Sequence, residues 1–158
     1  MKPLKLNKKQ KGAEIVEFAI MLPVLMLVLL SIMEFGLILY DKALITNACR
    51  EAARSGVVFK CPLLTTQNIK DVVTRYTSYA NGNSLLVSFG SGSTSPSVTV
   101  APTPSTDITK CGNQSGTPLT VTVTYNYNFL ALGNLIGVLV PGFTNPMTIS
   151  AITVMNYE

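Results

Sequence analysis

Gly12 and Glu17 are the residues whose types and spacing most directly suggest chemistry. They lie within "KGAEIVEFAI" (11–20), between a lysine-rich start and a long apolar run. A cut after Gly12 would release residues 1–12 and leave Ala13 with a free α-amine, whose reference pKa is near 8. Glu17 is four residues beyond Ala13, one turn of a helix. An unpaired charge inside a membrane is costly, so a carboxylate there needs a cation. The new amine, on the same chain or a neighbour, could supply it. A simpler reading also exists. Glu17 and Glu34 are 17 residues apart, about 26 Å along a helix, close to the roughly 30 Å of bilayer hydrocarbon. Each acid would then only mark one membrane interface.

Other chemistry is poorly supplied. The chain has no histidine, which removes Ser-His-Asp and Cys-His arrangements. No glycine-rich phosphate loop ending in Lys-Ser/Thr is present. Asp41, Glu51, Asp71, Asp107 and Glu158 are scattered. The three cysteines, Cys49, Cys61 and Cys111, do not have zinc-ligand spacing. Three single pairings are open to them, and spacing does not choose; Cys61 and Cys111 fall in irregular segments, where a staple is most useful, and their pairing is the one expected. That bridge would contribute on the order of 4 kcal/mol through its long closed loop, less any native strain. Cys49 is expected as a buried thiol. No metal or cofactor is implied, and the expectation is a non-enzymatic structural or interaction role.

The charge distribution points to a membrane. The net charge is +4, but five lysines lie within residues 1–12, leaving seven basic against eight acidic residues beyond them. A nucleic-acid binder would spread cations over a folded face, so no nucleic-acid partner is expected. Here the lysines precede an apolar stretch, 18–40, interrupted only by Glu34. That stretch is long enough to span a bilayer, and the lysines would hold the N-terminus in the cytoplasm. No small-residue cleavage site of the secretory kind closely follows the apolar run. The expected division is therefore a basic cytoplasmic leader at 1–12, a transmembrane helix at 13–40, and an extracytoplasmic domain at 41–158.

The elements that must carry these residues follow from periodicity. "DKALITNACREAARSG" (41–56) reads as an amphipathic continuation of the membrane helix, with Ala48, Ala52 and Gly56 four residues apart on one side. Such a stripe allows close backbone approach, either to the chain's own domain, the simpler expectation, or to other copies. A second helix is expected at 67–80, capped by Thr66 or Asn68, stopped by Asn81-Gly82, and buried along Ile69, Val72, Val73, Tyr76 and Tyr79 or Ala80. Residues 119–129 alternate apolar with Thr or Asn, a half-buried strand. Residues 85–89, 97–101 and 147–155 are further strand candidates, the last with a slip near Ala151 and Ile152. The glycine-broken segment 131–143 would cover a sheet edge or form a tip. The fold class is α+β: a long N-terminal helix, a short second helix and an antiparallel sheet of three or four strands.

Several separate motifs carry a resemblance. Gly12, Glu17-Phe18, Pro23, Glu34-Phe35-Gly36 and "NACREAAR" (47–54) together resemble the TadE-like pseudopilins, or minor pilins, of the tight-adherence (Flp) type IV pilus system. The resemblance implies a bacterial inner-membrane protein crossing once, with its C-terminal domain extracytoplasmic, or a subunit of an extracellular pilus. It implies a prepilin peptidase that cuts between Gly12 and Ala13, with Gly12 required because a side chain there would obstruct the cut. It further implies that Glu17 pairs with the Ala13 amine of an adjacent pilin, that Phe18 belongs to the packing core, and that other pilins and the membrane assembly machinery are partners. The role implied is pilus assembly in adhesion or biofilm formation. Two alternatives stay open: an uncleaved, membrane-anchored assembly factor, and an anchored carbohydrate- or surface-binding module suggested only by the Tyr/Asn-rich stretch 125–128.

Overall fold

One helix, α1 (Lys8–Val57), holds both the apolar run and the amphipathic continuation. The computed structural model describes residues 8–58, 63–89, 95–104, 115–130, 132–133, 137, 142 and 145–157, with side chains from residue 12 onward. At 50 residues, α1 is about 75 Å long. Pro23 lies inside it and leaves the carbonyl four residues earlier without its helical N–H partner. Residues 12–29 are exposed along their whole length. Burial then falls on one stripe: Glu34, Asp41, Ile45, Ala48, Cys49, Ala52, Ala53 and Val57.

That stripe packs on the domain. Helix α2 (Thr66–Thr77) lies against α1. A three-stranded antiparallel sheet, β1 (Ser97–Ala101), β2 (Pro118–Tyr127) and β3 (Met147–Asn156), has β2 at its centre. Both β2 and β3 pack on α1. The register sets Val100 opposite Val121, Val123 opposite Ala151, and Tyr125 opposite Ile149, and these six residues turn into the core. The small residues of α1 make the contact close. A Cβ on Gly56 would lie 2.6 Å from Leu119 Cδ2 and 3.0 Å from Ile69 Cδ1. The small-residue stripe is therefore covered by the chain's own domain.

Several expectations change. Helix α2 is capped by Thr65, whose hydroxyl accepts from the Asn68 N–H at 3.2 Å, and it ends at Thr77 rather than at residue 80. The cause lies in the following turn. Ser78 bridges to Ser84, and the Tyr79 N–H donates to the Asn83 carbonyl, with Gly82 at φ +83°. Asn81-Gly82 thus reverses an extended chain instead of stopping a helix. Tyr76 and Tyr79 are consequently exposed, while Ile69, Val73 and Thr77 form the buried face.

Residues 85–89 are not a strand. Their backbone donors go elsewhere: Val87 N–H to the Asp41 carboxylate, and Phe89 N–H to the Asn128 carbonyl. Strand β3 has no slip. Its inward and outward residues alternate throughout, which puts Ile152 and Val154 on the outer sheet face.

Candidate functional site

The described structure separates into a free helical arm and a buried junction. The arm carries the four sequence-predicted site residues. Gly12, Ala13, Glu17 and Phe18 are all exposed, and among the described residues nothing beyond the local helix backbone lies within 4 Å of where a Gly12 Cβ would sit. Ala13 and Glu17 lie one helical turn apart. Ser31 Oγ donates to the Leu27 carbonyl at 2.7 Å, which satisfies a hydroxyl in the apolar run. This arm is one helix long and apolar enough to cross a membrane, and the domain buries none of its most apolar stretch.

The junction begins at Glu34, which is 1% exposed. The Leu132 N–H donates to Glu34 Oε1 at 3.5 Å. Glu34 is thus covered by the segment that follows β2 and is not an exposed interface marker. Two turns further along α1, Asp41 is fully buried, and its Oδ1 accepts the Val87 N–H at 2.9 Å. Its Oδ2 has no hydrogen-bond partner among the described residues. Burial pushes the Asp41 carboxyl up to about 6, opposed by the Val87 hydrogen bond, which favours the ionised form.

Tyr127 lies within the field of both acids. Desolvation, then the charges of Glu34 and Asp41 and the neighbouring Tyr125, push its hydroxyl up to about 12. Its ring is held edge-on between Phe89 and Phe129, at centroid distances of 6.5 and 5.3 Å. The arrangement joins α1, the 85–89 segment and the end of β2 through two carboxylates and an aromatic stack. Both carboxylates and the Tyr127 side chain are buried there.

The sequence treats Asp41 as one of several scattered acids and Glu34 as a boundary marker. Their seven-residue spacing, continued by Ala48, places them on the buried stripe, and that is the signal that would have found them.

The cysteines divide as follows. Cys49 is a buried free thiol whose Sγ lies 3.2 Å from the Val121 carbonyl and 3.6 Å from that of Ala151. Cys61 and Cys111 lie outside the described residues, and so does the expected pairing between them. Among the described residues, no three His, Cys, Asp or Glu side chains gather as a metal site would need.

Residues 12–54 match the family model described as TadE-like protein. The matched region covers the whole free arm, both junction acids and most of the packed half of α1. No curated protein and no solved structure matches the chain.

Proposed function

We propose that this chain is a TadE-like pseudopilin, or minor pilin, of a tight-adherence (Flp) type IV pilus. In this reading a prepilin peptidase cuts between Gly12 and Ala13, and the mature protein takes part in assembling a fibre that serves adhesion or biofilm formation. The observation that carries the reading is the uncovered arm. An exposed apolar rod, residues 12–29, projects from a domain that buries one stripe of the rest of the same helix. Such a surface is unfavourable in water and is suited first to lipid, then to the helices of other pilins. The match to the TadE-like model over the same residues supports it.

The roles follow from position. Gly12 leaves the cleavage point free of a side chain. The cut removes the lysines that hold the N-terminus on the cytoplasmic side and creates an amine one turn from Glu17. Glu17 then selects a register between neighbouring helices, because its charge is tolerated in an apolar bundle only opposite a cation. Phe18 supplies apolar surface beside it. The test is Glu17→Gln in a strain that makes the pilus. Cleavage should be retained and piliation should fall. Wild-type piliation in that strain would reduce Glu17 to an interface marker.

A further inference from the structure

Large apolar side chains stay open where the domain closes on the arm. Phe35 and Leu39 on α1, Leu130 after β2, and Met147 at the start of β3 are 61, 53, 55 and 42% exposed. A groove of about 390 Å³ runs between Ser31, Glu34, Phe35 and Ile38 of α1 on one side and Phe129, Leu132 and Met147 on the other; its lining is mostly apolar, with Glu34 at its inner wall. The chain carries no charged residue between Lys110 and Glu158. Lys42, the nearest described cation along α1, is engaged by the Ser150 carbonyl.

On α1 the rim spans Ser31 to Leu39, and the Leu132 N–H meets Glu34, one residue beyond Met33, near its middle. From Ala13 to Met33 is 21 residues, about 31 Å of helix, which matches the hydrocarbon thickness of about 30 Å. A span of 18–40 would instead carry Glu34 and the groove roughly 9 Å into the hydrocarbon.

We propose that the rim is a second membrane contact: an apolar foot that rests in the outer-leaflet interface around the emerging helix, with lipid acyl chain in the groove. The occupant follows from continuity, because the exposed side chains of the rim adjoin the exposed apolar arm through Ile32, Met33 and Phe35. The inference rests on the membrane-anchor reading of that arm. The anchored segment is then 13–33, and Glu17 lies inside it rather than at its edge. The foot also fixes how the domain stands on the bilayer, since a helix alone leaves rotation and tilt to its neighbours.

The chain contains no tryptophan, so single-tryptophan variants report position directly. The full chain carrying Val24→Trp, Leu130→Trp, Met147→Trp or Ile152→Trp would be reconstituted in phosphatidylcholine vesicles with brominated acyl chains. Leu130→Trp and Met147→Trp should have their emission at least halved by bromine near the headgroup end of the chain. Val24→Trp should be quenched most by bromine near the terminal methyl. Ile152→Trp, on the outer sheet face, should be unaffected. Quenching at Val24→Trp without quenching at Leu130→Trp and Met147→Trp overturns the foot and leaves the anchor standing. A blue-shifted but unquenched Leu130→Trp shows that another protein copy covers the rim, which also overturns the foot. Equal quenching of Ile152→Trp refutes the assigned orientation. No quenching at Val24→Trp refutes the anchor itself, and the foot with it.

Discussion

Asp41→Asn should change the pH dependence of stability more than stability at low pH. In the folded chain the Asp41 carboxyl is pushed up to about 6 from an ordinary value of 3.8. The folded state therefore holds this proton more tightly than the unfolded state. A raised carboxyl value means a cost to the fold that is fully present above about pH 6 and is relieved as pH falls towards 3.8. The difference of about two pH units, at 1.36 kcal/mol each, sets an upper limit of roughly 3 kcal/mol. Residual solvation lowers this to on the order of 1–2 kcal/mol.

Asparagine keeps an oxygen for the Val87 N–H and removes the charge. At pH 8 the variant should be the more stable by that amount, seen as a melting point higher by roughly 2–8 °C. Near pH 4 the two proteins should converge. Thermal melts of both proteins in the same detergent, taken at steps from pH 8 to pH 4, make the comparison. Parallel profiles would refute the reasoning, because they would mean that Asp41 binds its proton equally in both states.

Three further outcomes follow from the packing and from the cysteines. Gly36→Ala, where the new Cβ has open space, should stabilise by about 0.5–1 kcal/mol through helix propensity. Gly56→Ala gains the same propensity but pushes into Leu119 and Ile69. Overpacking of that kind costs about 1–3 kcal/mol, so a net loss of melting temperature is expected; a gain at both positions would show that those side chains yield freely. Thr65→Ala should cost about 1 kcal/mol by leaving the Asn68 N–H uncapped, and an unchanged denaturation midpoint would contradict the cap. Non-reducing peptide mapping should join Cys61 to Cys111 and leave Cys49 as a free thiol; a link through Cys49 would overturn that pairing.

The readable parts of the fold are those where one physical signal acts alone. Strict alternation from Leu119 onward gives β2 to within two residues at each end, and Ser97 to Ala101 is β1 as expected. The amphipathic half of α1 follows from Ala48, Ala52 and Gly56. The errors arise where a local signal is overridden. Asn81-Gly82 can end a helix or turn an extended chain, and the Ser78 bridge to Ser84 decides for the second. Residues 85–89 have strand composition, yet a buried carboxylate 46 residues away takes the Val87 donor. Ile152 and Val154 suggest a register slip because apolar residues are expected inward, but both face outward.

At the site, the proposed roles of Gly12 and Glu17 rest on spacing alone, because the chemistry proposed for them is local. The burial of Glu34 is not legible in the sequence, since Leu132, 98 residues further along the chain, lies against it.

The most direct test of the central claim is the intact mass of the protein isolated from its native membrane, from cells with and without the prepilin peptidase. The account predicts a chain beginning at Ala13 when the peptidase is present and one that keeps residues 1–12 when it is absent. A chain that keeps residues 1–12 in both would contradict it and leave an uncleaved membrane-anchored factor in its place.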